Sequence, residues 1–257
     1  IRGLFVPEEG CLWGAFDYSQ QEPRLTVHYA SLTNQPGAEN AVVQYRDENA
    51  DFHQIVADMA NIPRKQAKDI NLALSYGMGK KKLIQTLGIS DIEAEDLIAR
   101  YHQRVPFVKA LADSCMRNAS NRGYVTTLLG RKCRFNLFEP RGQRNIPLPY
   151  TEASEKWGEE NIARSYTYKA LNRLIQGSAA DMTKKAMLDL YKEGYVPHVQ
   201  VHDELDISVE TKQQAKQIKE IMENCVQLEV PNVVDAELGT TWGNATTSYE
   251  EAFDERD

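Results

Sequence analysis

The sequence lacks the features that mark membrane and secreted proteins. No stretch approaches the roughly 18 consecutive apolar residues of a membrane-spanning helix, and the N-terminus has no basic segment followed by an apolar one, as a signal peptide would. We therefore expect a soluble, intracellular protein without a membrane partner. Its 257 residues, 42% of them hydrophobic, can bury a substantial core in one large or two small domains.

Cysteine is too scarce and too scattered to suggest a metal or disulfide framework. The four cysteines include no CxxC pair and no histidine at zinc-finger spacing; they are Cys11, Cys115, Cys133 and Cys225. Unpaired thiols are the simplest interpretation.

The chain also lacks the net positive charge that drives non-specific binding to nucleic acid, since its formal charge is −7. The positive residues are nevertheless grouped in short runs, at 64–68, 80–82, 131–134 and 141–144. A basic run alone usually means only a solvated surface. The average charge therefore does not exclude a nucleic-acid partner.

The pattern of apolar residues predicts a strand and a helix near the N-terminus. Residues 11–16 are apolar, small or aromatic, which is typical of a buried strand. This strand is predicted to end at Asp17. Leucine and tyrosine at helical spacing predict a helix over 22–32.

Helical spacing dominates the middle of the chain. It predicts a helix beginning at Pro63 and ending at 76–79, and two further helices over 91–101 and 106–121, the last of them closed by Gly123. Two short β-rich segments around Leu129 and Gly130 predict a hairpin, and residues 140–157 are predicted to form an exposed loop.

The C-terminal third predicts a long helix over 161–192, a hairpin with the charged tip 202–204, a helix over 212–228 and a strand over 233–238. Strands at both ends of the chain must then share one sheet. The fold class predicted is α+β, an antiparallel sheet with packed helices and an inserted helical subdomain. The predicted division is 1–40, 41–160 and 161–257.

Two carboxylates at predicted strand ends carry the first chemical signal. Asp17 and Asp203 are far apart in sequence, yet one sheet would bring them together. Carboxylate oxygens suit Mg²⁺, and a pair of such ions can promote phosphoryl transfer. Either Asp by itself is more simply explained as a solvated turn residue.

The predicted helix beginning at Pro63 carries a second signal. Its residues Arg64, Lys68, Leu72 and Tyr76 recur every four positions and therefore share one stripe. Cations on one stripe could bind a triphosphate. The spacing alone fits an ordinary solvated amphipathic helix equally well.

Three segments resemble the motifs of the family A (polymerase I-like) DNA polymerases. Residues 17–24, the Arg64-x₃-Lys68-x₇-Tyr76-Gly77 pattern and residues 201–204 occur in the family's order. Supporting similarities lie at 51–53, 123–131, 172–181 and 239–242. The resemblance implies a palm (1–40 and 161–257) and fingers (41–160), without a thumb or an exonuclease domain. It also implies a cytoplasmic protein of a bacterial or phage-infected cell.

The resemblance implies template-directed DNA synthesis in replication or repair. Asp17 and Asp203 would hold two Mg²⁺ ions, with Mn²⁺ as a substitute, and the Tyr18 carbonyl would be a further ligand. Glu204 would assist nearby. Lys68 would protonate the departing pyrophosphate.

The same resemblance implies the nucleotide and DNA contacts. The dNTP site would comprise Arg64, Lys68, His53, Leu72, Tyr76, Glu22 and Gln20. Glu22, hydrogen-bonded to Tyr76, would exclude a 2′-hydroxyl, while Leu72 departs from the family's usual Phe or Tyr. Asn172, Gln176 and His202 would contact primer–template DNA, although Tyr168 stands where bacterial members carry Arg. A monomer is expected.

Two alternative functions remain open. A single-subunit RNA polymerase has a related palm, but its ribonucleotide site has no use for the block that Glu22 would supply. A non-catalytic DNA-binding module could keep the fold, although binding alone does not require Asp17, Asp203, Arg64, Lys68 and Tyr76 together.

Overall fold

The structure is a computed structural model that describes residues 1–46, 51, 53–54, 57–58, 62–75, 80–143 and 145–254. In these ranges the helices are α1 (Gln21–Leu32), α2 (Ala38–Tyr45), α3 (Arg64–Ser75), α4 (Lys80–Leu87), α5 (Asp91–Arg104), α6 (Pro106–Arg122), α7 (Tyr150–Trp157), α8 (Ala170–Lys192), α9 (Lys212–Asn224) and α10 (Tyr249–Asp254). The strands are β1 (Leu12–Tyr18), β2 (Tyr124–Thr126), β3 (Lys132–Arg134), β4 (Leu137–Pro140), β5 (Leu148–Pro149), β6 (Ile162–Arg164), β7 (Val199–Val201), β8 (Glu204–Val209), β9 (Val234–Gly239) and β10 (Thr247–Ser248).

The chain forms two compact units. Unit 1 comprises Ile1–Leu25 and Ala179–Asp257, and unit 2 comprises Thr26–Ser178. Their boundaries fall inside helices α1 and α8, so these two helices belong partly to each unit. The predicted assignment of palm and fingers stays a prediction.

Unit 1 contains a five-stranded antiparallel sheet in the order β10-β9-β1-β8-β7. The predicted sharing of one sheet by strands from both chain ends is therefore confirmed. One sheet face carries buried apolar side chains, among them Phe16, Leu205 and Leu238. Helix α9 lies against strands β8 and β9 and buries Ile218 and Met222. Because successive side chains of a strand point to opposite faces of the sheet, Asp17 and Glu204 lie on the other face.

Unit 2 is mainly helical, as predicted for the middle of the chain. Helix α3 follows Pro63 directly, and α6 ends at Gly123, whose φ of 80° suits a glycine after a helix. The predicted hairpin is present as β2 and β3.

Two predictions in the region after this hairpin were wrong. The predicted loop over 140–157 is present only between β4 and β5, because β5 pairs with β4 and α7 follows it. Short edge strands tolerate proline, so the proline content was misleading. The long helix begins at Ala170 rather than at 161, because Ile162–Arg164 pair with β4 and Tyr166 has a left-handed φ of 60°.

The charge is divided unequally between the two units. Unit 1 holds 9 basic and 21 acidic residues, a net charge of −12, whereas unit 2 holds 21 basic and 16 acidic residues, a net charge of +5. The overall −7 thus conceals a positively charged unit. Among the described residues, no helix is both long and apolar enough to cross a membrane. All four cysteines are free thiols.

Candidate active site

The register of the unit 1 sheet brings acidic residues together. Asp17 lies opposite Glu204 of β8 on one side and Asp235 of β9 on the other. Val201 pairs with Glu204, so His202 and Asp203 form the two-residue turn between β7 and β8. The sheet thus places Asp17 and Asp203 near each other, as the strand pattern predicts. Asp17 lies inside β1, however, because that strand continues to Tyr18.

Loss of hydration and the neighbouring negative charges raise the pKa of both aspartates. The pKa of Asp17 is raised to about 7, first by loss of hydration and then by the charges of Asp203, Glu204 and Asp235, with Glu237 adding a smaller effect. Asp17 keeps access to solvent, so its neighbours remove only part of its hydration. Burial also raises the pKa of Asp203, against the opposing effects of its own backbone N–H and of His202. A cation at this site would relieve the repulsion.

The donors at this site suit magnesium rather than a softer metal. They are carboxylate oxygens, with the Tyr18 carbonyl as the further ligand implied by the resemblance. Among the described residues, no group of three or more His, Cys, Asp or Glu side chains is placed to hold a metal. Mg²⁺ commonly uses only one or two carboxylates and completes its shell with water and substrate phosphate. The donor set therefore fits Mg²⁺ as an ion shared with a substrate.

Arg24 holds the segment that follows Asp17 in place, and it was not among the predicted site residues. This side chain is only 1% exposed. Its Nε donates to the Ser19 carbonyl at 2.9 Å and its Nη1 to the Pro231 carbonyl at 2.9 Å. The Tyr18 hydroxyl donates to the Met222 carbonyl at 2.8 Å. Gln20 follows with a left-handed φ of 55°.

A pair of tryptophans contacts two acids of β8, and the sequence analysis missed this arrangement as well. The Trp242 indole N–H donates to Glu204 Oε1 at 2.9 Å, and the Trp13 indole N–H donates to Asp206 Oδ1 at 2.8 Å. The two rings stack with centroids 6.2 Å apart. Asp206 is fully buried, and burial raises its pKa to about 6. The available signal was the acid Asp206 between the apolar residues Leu205 and Ile207 of β8.

In unit 2, Arg64 and Lys68 are exposed and lie one turn apart in the first half of α3. Arg64 Nε and Nη2 each lie 2.6 Å from Asp51 Oδ2. The other oxygen of Asp51 accepts hydrogen bonds from the backbone N–H groups of His53 and Gln54, at 2.9 and 3.2 Å. Asp51 was predicted only as part of a supporting motif, without a role of its own.

His53 lies beside the same helix. Its Nδ1 is 3.1 Å from Nδ2 of Asn71, which is buried. Burial lowers the pKa of His53, and Arg64 and Lys68 lower it further against the opposing effect of Asp51. Asn71 was not predicted to belong to the site.

The remaining predicted nucleotide-site residues are only partly described. Leu72 lies in α3, and Glu22 is half-buried in the first turn of α1. Tyr76 lies outside the described residues, and so does its predicted hydrogen bond with Glu22.

The predicted DNA contacts occupy two places. Asn172 and Gln176 lie one turn apart on α8 in unit 2, the first half-buried and the second exposed. His202 is exposed at the β7–β8 turn of unit 1 with a left-handed φ of 56°. Near Gln176, the Arg131 Nη2 donates to the Gly177 carbonyl at 2.7 Å, which joins the β2–β3 hairpin to α8.

Comparison with known proteins identifies the family. Residues 1–244 match the family model described as DNA polymerase family A. The chain belongs to DNA polymerase family A. A "DNA-directed DNA polymerase" of Pseudomonas phage M6 is 37% identical over 95% of this chain and 40% of its own length. "DNA polymerase I" of Bacillus caldotenax is 36% identical over 95% of this chain and 27% of its own length.

A solved structure supports the same family A fold. It is titled "POL domain of Pol1 from M. smegmatis complex with DNA primer-template and dNTP", and it matches with a TM-score of 0.75 and 27% identity. The match covers 95% of this chain and 42% of that one. The chain thus spans between 26% and 40% of the length of the curated relatives it matches.

Proposed function

We propose that the chain carries out template-directed DNA synthesis, in which a primer 3′-hydroxyl attacks the α-phosphate of a deoxynucleotide and pyrophosphate leaves. The observation that carries this proposal is the sheet register that puts Asp17 opposite Glu204 and beside the turn holding Asp203, in a chain of DNA polymerase family A. The phage relative named a DNA-directed DNA polymerase supports it.

Asp17 and Asp203 would hold two Mg²⁺ ions, for which Mn²⁺ is an expected substitute, together with the Tyr18 carbonyl. When bound, these ions activate the attacking hydroxyl and stabilise the leaving oxygen. Arg24 and the Tyr18 hydroxyl keep the ligand-bearing strand end in place. Trp242 orients Glu204, whose carboxylate assists beside the aspartates.

The nucleotide is proposed to bind through its triphosphate to Arg64, Lys68 and His53. Arg64 offers a planar fork of donors, and Lys68 a mobile ammonium that can give a proton to the departing pyrophosphate. Gln20, Leu72 and Tyr76 complete the proposed dNTP contacts. Glu22 blocks a 2′-hydroxyl and so selects deoxynucleotides.

Primer–template DNA is the proposed macromolecular partner, bound by Asn172, Gln176 and His202. The net charge of +5 on unit 2 supports this partner, because phosphate neutralisation contributes much of DNA affinity. The neighbouring solved structure is a complex with DNA primer-template and dNTP. Replication or repair, a monomeric state and a cytoplasmic location stay predictions.

Primer extension with Mg²⁺ tests the proposal, with dNTPs and NTPs assayed in parallel. Asp203→Asn is expected to abolish extension. Asp235→Asn is the matched control, because Asp235 also lies opposite Asp17 but is not a proposed ligand. Equal losses in both variants would contradict the metal assignment. Equal use of NTPs would favour an RNA polymerase, and DNA binding without extension would favour a non-catalytic module.

A further inference from the structure

Asp51 joins two helical segments of unit 2 through one carboxylate. Its Oδ2 accepts a hydrogen bond from Nε of Arg64 at 2.6 Å, and Nη2 of the same guanidinium lies at 2.6 Å from that oxygen in an ion pair. Its Oδ1 accepts the backbone N–H groups of His53 and Gln54, which is the arrangement of a helix N-cap. Partial burial by itself would raise the pKa of Asp51, but the hydrogen bonds from Arg64 and from the two backbone N–H groups together outweigh it and lower the pKa.

The contact fixes how Arg64 presents its guanidinium. Nε and Nη2 lie on the same edge of the group, so binding both to one oxygen restricts rotation about the end of the side chain. The two N–H donors of Nη1 have no protein partner within the described part of the chain. The side chain is 53% exposed, so these donors are accessible to an anionic ligand.

A second link lies two helical turns away on α3. The Asn71 amide nitrogen can only donate, so His53 Nδ1 is the acceptor at 3.1 Å and a neutral imidazole carries its proton on Nε2. His53 is therefore held by its backbone through Asp51 and by its ring through Asn71. Asp51 therefore helps to place two of the three proposed phosphate-binding side chains, Arg64 and His53.

We propose that Asp51 is a positioning residue for triphosphate binding, which it serves by orienting Arg64 and by fixing the backbone at His53. This inference rests on the proposed function. Simple electrostatics predicts the opposite effect, since a carboxylate near a phosphate site repels the anion. Removing the charge of Asp51 should weaken dNTP binding if Asp51 positions Arg64, and strengthen it if Asp51 only repels the phosphate. The direction of the change in dNTP affinity therefore distinguishes the two effects.

The decisive variant is Asp51→Asn. Asparagine caps a helix about as well as aspartate. Its side-chain oxygen can accept the hydrogen bonds of the backbone N–H groups, but its amide nitrogen is a donor and cannot accept the hydrogen bond from Arg64. We expect the KM for dNTP in primer extension to rise about tenfold, in the range of a lost charge-assisted contact, with kcat changed less than about twofold. The Kd for dNTP, measured by calorimetry without DNA, should rise by a similar factor.

Asp58→Asn is the matched control. Asp58 is an exposed acid seven residues further on that accepts from the Gln54 side chain at 2.6 Å, so its substitution removes the same charge without touching Arg64. We expect an unchanged KM. In an Arg64→Lys background, Asp51→Asn should have little further effect, because lysine has no fork to orient.

An unchanged or tighter dNTP Kd in Asp51→Asn would overturn the inference. Asp51→Ser, which also keeps the cap, is the second variant should Asp51→Asn fold poorly by its melting curve, and the same Kd shift is expected. Arg64→Ala and Lys68→Ala test the proposed nucleotide site independently of the role of Asp51. If neither weakens dNTP binding, the proposed nucleotide site fails; if Arg64→Ala weakens it but Asp51→Asn does not, only the role of Asp51 fails.

Discussion

Asp17 of β1 lies directly opposite Glu204 of β8 in an antiparallel pair, so two acids face each other across neighbouring strands. Like charges in this position destabilise a sheet. Lost hydration, and after it the repulsion from Asp203, Glu204 and the other nearby acids, raises the pKa of Asp17 to about 7. The chain thus keeps an arrangement that costs stability, as is common where function requires it.

The loss of stability caused by the charge of Asp17 should be measurable in the absence of divalent metal. The pKa of Asp17 is about 7 in the folded chain against 3.8 for a free aspartate, so the folded state binds more protons between these values and stability falls as pH rises through them. We expect Asp17→Asn to melt at a higher temperature than the native chain above pH 7 in chelator, with the difference disappearing below about pH 4.

Thermal melts from pH 4 to 8 check this expectation. Glu210→Gln serves as the control, because Glu210 is an exposed acid just after β8 and should change little. Added Mg²⁺ should raise the melting temperature of the native chain but not of Asp17→Asn. A lower melting temperature for Asp17→Asn at pH 8 in chelator would contradict the prediction.

Trp13 should stabilise the fold through its hydrogen bond to buried Asp206 as well as through packing. Trp13→Phe removes that donor and leaves a buried carboxylate unpaired, which costs about 1–3 kcal/mol beyond the loss of packing. Because the pKa of Asp206 is about 6, the loss should be larger at pH 8, where the group is ionised, than at pH 5.

Chemical denaturation at both pH values measures the effect. The double variant Trp13→Phe with Asp206→Val removes both polar partners and should recover part of the lost stability. A loss independent of pH and of residue 206 would show that packing alone is responsible.

Gly177 allows the β2–β3 hairpin to approach α8. A Cβ at this position would lie 2.7 Å from Thr127 Cγ2 and 3.2 Å from Arg131 Nη2. Overpacking costs about 1–3 kcal/mol, whereas alanine gains about 1 kcal/mol over glycine inside a helix. We expect Gly177→Ala to lower the melting temperature in the native background and to raise it in a Thr127→Ser background.

Thr127→Ser is the appropriate background because it removes only Cγ2 and keeps the hydroxyl that donates to the Arg131 carbonyl at 3.1 Å. Melting curves of the native chain, Gly177→Ala, Thr127→Ser and the double variant form a double-mutant cycle. The same effect of Gly177→Ala in both backgrounds would mean that Thr127 is not the obstacle.

Glu22 should select the sugar by its size. Glu22→Ala is expected to reduce the preference for dNTPs over NTPs by about ten- to 100-fold, the range for removing a modest steric barrier. Glu22→Gln keeps the bulk and should retain most of the preference. Parallel primer extension with both nucleotide sets measures the ratio, and equal preferences in the two variants would contradict the steric role.

Local patterns predicted much of the fold because they depend on neighbours in sequence. The hairpin around Asp203 followed from alternating valine and isoleucine, and α3 from a proline followed by helical spacing. The second half of 140–157 was mispredicted because its proline and glycine content suggested a loop, whereas β5 pairs with β4 and α7 follows it. The start of α8 depended likewise on the pairing of Ile162–Arg164 with that strand.

The family motifs, the acidic residues near the ends of the unit 1 strands and the cations of α3 could all be predicted from the sequence, because each lies within a short run of the chain. The side chains that contact them could not be predicted in this way. The contacts of Trp242 with Glu204 and of Asp51 with Arg64 join residues 38 and 13 positions apart. Such partners are selected by sheet register and helix packing, which no local pattern of residues specifies.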